Sequence, residues 1–489
     1  MRNAARSAAG RARRFWRACA ETLAGSPGLQ VVALALATRL LLYLLAYLAA
    51  RLFQNRGDGF FQIFAELWQR SDAPHYLDIA EEWYVNAGED RVFLVFLPLY
   101  PLLVRALSFF FGGDTLFAGI ALSLGAFAAA AAVIYKTAPL VCRDAPCGGE
   151  RLGAADRYGA SADADAGGSE SAGDGWDEVA ASCHGASGGV SDCASRGLGA
   201  ADRYGASASA GAGGAPVHAP REPGAPDPFL SAKYLICFPA SFFVNGTFTE
   251  SLFLLLSALF FYFMLRRRWA ACGLMAMLAA LTRYYGALLA IPLAIELALD
   301  AAREWRSAPR SGMAGLPRFL AASGFARRAA AVLMAPLGTG LYLLLNYAVS
   351  GNAFQFLVYQ REHWNQTFGL FYENVGSLAA NMLQWQPSDS AAIFAPQLAM
   401  AAFGIAILIY GIAKKFRVSM LAYLAAYFLI SVSASWMLSL PRYIFGAAPV
   451  YWLLAEAGGH RLADALITFA LVCGLVYYML AYVSGYHVY

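Results

Sequence analysis

Groups able to move a proton are sparse in this chain, and one short stretch gathers Asp72, His75 and Asp78: Arg70-Ser71-Asp72-Ala73-Pro74-His75-Tyr76-Leu77-Asp78-Ile79-Ala80. Pro74 suits the first turn of a helix, with Asp72 or Ala73 as its cap. On such a helix Asp72 and His75, three positions apart, share a face and can hold a proton or a metal ion together. The plain structural alternative is an Asp72 that only caps the helix, with its carboxylate on backbone amides. A second polar corner, Phe238 to Ser251, puts Glu250 at the opening of a helix, where an acid also complements the helix dipole. Three arginine-bearing pieces follow: Leu281-Thr282-Arg283-Tyr284-Tyr285-Gly286, Tyr359-Gln360-Arg361-Glu362-His363-Trp364 and Ser439-Leu440-Pro441-Arg442-Tyr443. A guanidinium fork beside tyrosines pairs with phosphate oxygens, or else its stem snorkels to the membrane boundary.

These residues need elements to hold them, and the composition says which. The chain has 489 residues, of which 59% are hydrophobic and 14% charged, against roughly 25% charged in soluble domains. Its apolar residues come in runs of about 20, the length that crosses a hydrocarbon core. A soluble enzyme, a nucleic-acid binder and a fibrous protein are excluded. The expected fold is an all-α polytopic membrane protein, since every backbone amide in lipid must be paired within its own element. Apolar runs fall at 29–53, 93–111, 114–140, 229–247, 249–266, 269–299, 327–349, 392–413, 417–439, 442–457 and 462–484. With 269–299 long enough for two passes, they predict 11 or 12 crossings.

Charges inside these runs are costly unless paired. Those expected at membrane depth are Arg39, Arg105, Glu250, Arg283, Glu296, Arg442 and Glu456, with Glu296 and Glu456 expected to snorkel from helix ends. The basic N-terminal segment, 1–28, carries six arginines and belongs in the cytoplasm. A first transmembrane part, 29–142, contains a loop at 54–92 with eight acids against three arginines, which belongs on the outer face. Residues 143–228 form a Gly/Ala/Ser/Asp-rich insert with too few large apolar side chains to drive ordering, so disorder is expected there. An 11-residue string recurs within it, at Leu152–Ala162 and Leu198–Ala208. A central transmembrane part follows at 229–349, then an aromatic, amide-rich interfacial segment at 350–391, then a C-terminal transmembrane part at 392–489. Three crossings before the insert would leave it outside and carry Arg266, Arg267 and Arg268 outside as well, against the positive-inside rule. Either one early run is re-entrant or a crossing is hidden.

The eight cysteines define no disulfide framework, and Cys142, Cys147, Cys183 and Cys193 with His184 match no zinc spacing. The triplets at Asn245 and Asn365 fit the glycosylation pattern.

Taken in order, the polar pieces resemble the GPI mannosyltransferase II family and its prokaryotic relatives, glycosyltransferases of the GT-C type. The family's Arg-Trp-Asp-Ser/Ala-x-His-Phe/Tyr-x-x-Ile-Ala pattern is met by Arg70, Asp72, Ala73, His75, Tyr76, Ile79 and Ala80. Its Phe-Phe-Pro-Leu-Tyr-Pro is met by Phe96-Leu97-Pro98-Leu99-Tyr100-Pro101, and its later elements at Pro239–Ser251, Thr282–Gly286, Gln360 with Trp364, and Pro441-Arg442-Tyr443. Ser71 stands where the family has tryptophan, and the polar insert is foreign to the pattern.

The resemblance implies a membrane-embedded enzyme that moves mannose from a polyprenyl-phosphate-mannose donor to a hydroxyl of a glycolipid or glycan acceptor. Its site would lie on the extracytoplasmic or lumenal face, in the plasma membrane of a prokaryote or the endoplasmic reticulum of a eukaryote. In that frame Asp72 is the general base of a single inverting displacement, and His75 orients it or binds a sugar hydroxyl. Arg283 and Arg442 clamp the lipid phosphate. Glu250, Gln360 and Trp364 line the sugar or acceptor groove, and Arg70, Tyr76 and Tyr443 complete the substrate-binding set. Mg²⁺ or Mn²⁺ is used by some GT-C enzymes, and Asp72, His75 and Asp78 are a thin ligand set for either. Membrane lipids are the other partner, and nucleic acid is not one. A lipid-linked sugar transporter is the reading from another class; it calls for repeated halves and helices broken near the midplane. Within the enzyme class the rival is a GT-C transferase of another sugar.

Overall fold

The computed structural model of the chain describes residues 25–54, 56–141, 226–307, 324–435, 438–486 and 488. The chain divides into two units, Met1–Ala145 with Arg221–Tyr489, and Pro146–Pro220. The second unit lies outside the described residues. So do the basic segment up to 24, the insert up to 225 with its repeated string, and the cysteines at 142, 147, 183 and 193.

Among the described residues the fold is helical without a β-strand, and one isolated bridge joins Phe368 to Ala434. The helices are α1 (Pro27–Phe53), α2 (Phe60–Trp68), α3 (Ala73–Glu82), α4 (Leu99–Ser108), α5 (Thr115–Thr137), α6 (Pro228–Ile236), α7 (Glu250–Leu265), α8 (Trp269–Ala280) and α9 (Ala290–Ser307). They continue as α10 (Phe325–Ser350), α11 (Gln355–Trp364), α12 (Phe371–Gln384), α13 (Ala395–Ala413), α14 (Val418–Ser433), α15 (Leu440–Phe445), α16 (Pro449–Ala457) and α17 (Arg461–Val483). In α1 one stripe, Ala35, Arg39, Leu42 and Ala46, is buried, while Leu40, Leu44 and Leu48 on the other side are exposed. That is the 3.6-residue period of a helix with one face on protein and the other on lipid.

Six helical segments among the described residues are long and apolar enough to span a membrane: Pro27–Phe53, Thr115–Leu140, Tyr284–Ser307, Phe325–Ser350, Pro387–Ala413 and Arg461–Val483. Counting each sharply bent pair as one span raises the number to eight. The protein is therefore an all-α polytopic membrane protein. The tally is lower than the 11 or 12 apolar runs because proline and glycine break several runs into short helices. Glu89–Val95 and Leu99–Phe111 meet at 113° at Pro98, and Pro239–Asn245 meets Glu250–Leu265 at 111° beyond Gly246. The run 442–457 is two short helices, α15 and α16, and α8 has 12 residues.

Contacts sort the helix ends into two sets. At one end, Thr247 on the approach to α7 donates to the Ala73 carbonyl at the start of α3 (3.3 Å). There too, Tyr342 of α10 donates to Leu94 O (2.5 Å), Tyr482 of α17 to Leu67 O (2.6 Å) and Thr115 of α5 to Glu81 (2.5 Å). This is the acidic end, since the 54–92 loop lies on it. At the other end Arg267 pairs with Asp300 (2.7 Å), Arg328 with Glu304 (2.7 Å), Arg417 with Glu296 (2.5 Å) and Lys233 with Asp464. Glu296 is thus buried in an ion pair and does not snorkel. Buried Arg39 is held by carbonyls, with Nη1 on Ser241 O (2.5 Å), Nη2 on Ile236 O (2.8 Å), and its guanidinium over Phe127. Arg105 is exposed on α4, its Nη1 3.4 Å from Glu81 O.

Candidate functional site

Two backbone features aim the site residues. Ser71 has φ 61°, a left-handed conformation that costs a serine about 1–2 kcal/mol, and it turns the chain immediately before Asp72. Gly286 is the other: a Cβ there would lie 2.1 Å from Ala280 N and 2.2 Å from Ala279 C. Only glycine lets the 3-10 turn Tyr284–Leu289 fold back on the end of α8, which brings Arg283 to the start of α7.

Asp72 is the cap residue of α3, but its side chain accepts no bond from a cap amide. Its Oδ2 instead accepts from Arg442 Nη1 at 3.0 Å, across 370 residues of sequence. The capping alternative is therefore not what the carboxylate does. Arg442 Nε donates to Glu250 Oε1 at 2.7 Å, and Arg283 Nη1 reaches the same oxygen at 2.8 Å and Thr249 Oγ1 at 3.1 Å. Carboxylates and guanidiniums alternate along the chain Asp72–Arg442–Glu250–Arg283, with formal charges that cancel. Asp72 is its open member, at 29% side-chain exposure against 3%, 1% and 13% for the other three.

Aromatic faces wall this chain. The Arg442 guanidinium carbon lies 4.9 Å from the ring centroids of both Phe243 and Phe248, and that of Arg283 lies 5.5 Å from Tyr443. Tyr285 stacks on Tyr427 at 4.3 Å and lies tilted against Tyr443 at 5.4 Å. Tyr76 is buried beside the charge chain, its ring edge-on to Phe96 at 5.0 Å and to Tyr100 at 5.4 Å. Rings over a desolvated guanidinium hold its plane and add cation–π attraction.

His75 turns elsewhere. Its ring packs on Phe93 (4.6 Å) and Phe96 (5.4 Å), and its buried Nδ1 has no hydrogen-bond partner. No hydrogen bond links it to Asp72, so it does not orient that carboxylate. Trp364 meets Phe96 edge-on at 5.9 Å, and Gln360, one turn earlier on α11, buries Oε1 without a partner. His75, Gln360 and Trp364 thus belong to a second, aromatic group. Arg70 joins neither group: it pairs with Glu66 (3.1 Å) and donates to Tyr482 O (3.1 Å), fastening α2 to the end of α17. Asp78 is exposed on α3.

Among the described residues no three His, Cys, Asp or Glu side chains gather as metal ligands. Asp72 and Glu250 are bridged by Arg442, whose fixed positive charge lies between them.

Sequence reasoning brought Asp72, Glu250, Arg283, Arg442, Tyr76 and Tyr443 to one place. It missed Thr249 as a partner of Arg283, and Phe243 and Phe248 as the faces against Arg442. The phenylalanines flanking the 239–251 corner were the available signal, since aromatic rings beside a buried arginine stack on it. Of the glycosylation triplets, Asn245 is fully buried with Nδ2 on Arg39 O (3.0 Å), which rules it out, and Asn365 is exposed.

No protein-family model, curated protein or solved structure matches this chain.

Proposed function

We propose that this protein is an integral-membrane glycosyltransferase that moves a mannosyl group from a polyprenyl-phosphate donor to a hydroxyl of a glycolipid or glycan. The observation that carries the reading is the Asp72–Arg442–Glu250–Arg283 chain. It pairs one partly open carboxylate with two buried guanidiniums at the ends of apolar helices. The transfer needs one base and one cationic pair beside lipid. Asp72 takes the proton of the acceptor hydroxyl on its unpaired Oδ1. The freed oxygen attacks C1 of the sugar, the C1–O bond to phosphate breaks, and lipid phosphate leaves with the electron pair. A single displacement inverts the anomeric carbon. Arg442 positions Asp72, and Arg283 with Arg442 offsets the charge that develops on the leaving phosphate.

The sidedness follows the positive-inside rule. Arg266, Arg267, Arg268, Arg328, Lys414 and Arg417 cluster at the end opposite Asp72, which makes the acidic end extracytoplasmic. Traverses between the two ends are then α1, α5, 228–247, α7, α8, 284–307, α10, 387–413, α14, 440–457 and α17. In this reading the run 93–111 stays at the acidic end, because Arg105 and Thr115 both reach Glu81. The chain then leaves at Val141 and returns at Pro226 on the basic side, and Arg266–Arg268 fall inside.

The bent pairs are the one feature that favours a transporter. Their breaks lie at the acidic end, where Thr247 bonds Ala73 and Tyr284 bonds Val95 O, whereas transporters break helices near the midplane. The experiment is transfer of radiolabelled mannose from polyprenyl-phosphate-mannose by the purified chain and by Asp72→Asn. Loss of roughly 10²–10⁴ in turnover with inversion at C1 is expected for removal of a general base. Equal turnover by the two proteins, or retention at C1, overturns it.

A further inference from the structure

Two polar atoms are buried without partners at one interface, and the charge chain uses neither. His75 Nδ1 lies at the turn Glu89–Val95 and the segment beyond it, between the Phe93 and Phe96 rings, and Gln360 Oε1 lies on α11. A buried group left unsatisfied costs about 1–3 kcal/mol, and such groups in a native structure call for an explanation. The interface is otherwise aromatic: Phe93, Phe96 and Trp364, with Phe96 fixed through its carbonyl by Tyr84 (2.7 Å). Phe96 also packs on Tyr76 at 5.0 Å, and Tyr76 is buried on α3, the helix that Asp72 begins. His75 follows Asp72 by three residues, which is roughly 5 Å along a helix and less than a sugar ring's span with its hydroxyls.

We propose that the interface of α11 with the 89–96 segment is the acceptor's sugar subsite, taking one pyranose ring. The ring's C–H face lies on Phe93, Phe96 and Trp364, while its hydroxyls satisfy His75 Nδ1 and Gln360 Oε1. A hydroxyl both donates and accepts, so it suits either nitrogen state of His75 and the amide oxygen of Gln360. Apolar faces with a few convergent polar atoms are the usual make-up of a small-molecule site. The atoms are covered here, so α11 lifts to admit the ring, and the two unmade hydrogen bonds lower the cost of that opening. The proposal rests on the glycosyl-transfer reading for the identity of the ring, but its binding test does not.

The test uses the full-length chain in nanodiscs. Tryptophan emission is titrated with methyl α-mannopyranoside and with methyl α-glucopyranoside, in wild type and in Trp364→Phe. A saturable change that disappears in Trp364→Phe is expected. In parallel, Gln360→Ala and Phe93→Ala should raise the acceptor KM about tenfold, the loss of one hydrogen bond or stacking face, while the donor KM moves far less. An emission change that survives Trp364→Phe overturns the subsite, as does a shift in donor KM in place of acceptor KM. Transfer with unaltered acceptor KM in both variants removes the subsite and leaves the transferase standing. Trp364-dependent sugar binding by a protein that transfers nothing removes the transferase and leaves the subsite.

Discussion

The two ends of the bundle each bury carboxylates against arginines, and they satisfy them differently. At the basic end Glu296, Asp300 and Glu304 use both oxygens, while Asp464 takes Lys233, Tyr234 and Thr468 on Oδ1. Glu296 accepts from Arg417 through Oε1 (2.6 Å) and Oε2 (2.5 Å) and from Ser419; Glu304 takes Arg328 in the same bidentate way (2.7 and 2.8 Å). Asp300 divides its oxygens between Arg267 and Arg303. At the acidic end Glu250 crowds two arginines onto Oε1 and leaves Oε2 buried with no partner, while Asp72 has only Oδ2 engaged. Saturated pairs hold helices together. An unsaturated alternating chain holds charges ready for another ligand, at a cost that stability alone does not explain.

The sharpest way to break this contrast is Glu250→Gln. It strips the shared anion from two buried guanidiniums, and breaking a buried pair from one side costs about 3–5 kcal/mol. Denaturant unfolding in mixed micelles should show a large loss of stability, and transfer should vanish in whatever protein still folds. A Glu250→Gln protein with wild-type stability and turnover would show that the acidic-end chain is ornamental. Asp72→Asn separates the two roles within that chain. Turnover falls as stated above, but stability changes little, because Arg442 keeps Glu250 and the Asp72 side chain is the partly open one.

Glu296→Gln is the matched change at the other end. Arg417 is one-fifth exposed and can swing its head to water, so the loss should be smaller, about 1–3 kcal/mol for a hydrogen-bonded charge. Turnover measured at a temperature where the variant stays folded should equal wild type. Reduced turnover there would mean that the two ends are mechanically linked and that saturation does not mark a structural pair.

How much of this could be read in the sequence depends on the length of the interaction. Helix content and membrane residence follow from composition and from runs such as 29–53, which are local properties. The alternation of Asp72, Arg442, Glu250 and Arg283 joins residues up to 370 positions apart. Glu250, Arg283 and Arg442 can be singled out as charges at membrane depth and Asp72 by its loop cluster with His75 and Asp78, but not their partners, because pairing is decided where helices end. In the proposed topology the sidedness conflict comes from counting the run 93–111 as a crossing. Pro98 and Pro101 lie within it, and a proline removes an amide and bends the chain, yet apolar length alone conceals the bend. Arg70 joins the substrate-binding set through the family pattern it shares with Asp72; the left-handed Ser71 between them sends the two side chains to different helices. His75 was paired with Asp72 on helical spacing, but Asp72 sits at the cap, before the spacing rule applies, and the rings of Phe93 and Phe96 draw the imidazole away.

The smallest expected effect concerns the surface counterpart of these buried pairs. Glu66 accepts from Arg56 (2.5 Å) and Arg70 (3.1 Å) on the acidic loop, and the Arg56 hydrogen bond, then that of Arg70, holds its carboxyl below the usual range despite partial desolvation. A depressed carboxyl in the folded state stabilises above the unfolded value near 4.3 and loses that contribution as pH falls through the folded one. Acid should therefore loosen the clamp that ties α2 to α17, not base. Because the Glu66 side chain is half exposed, water and salt screen the pair, and the melting temperature should shift by only about 1 °C. Hydrogen exchange is the better measure: amides of 60–70 should open faster at pH 3 than pH 6, after correction for intrinsic rates, and Glu66→Gln should abolish the difference. An equal acid response in Glu66→Gln would move the titration to another carboxylate. A response spreading to α7 and α15 would mean that the loop clamp and the buried chain open together, which their separate partners argue against.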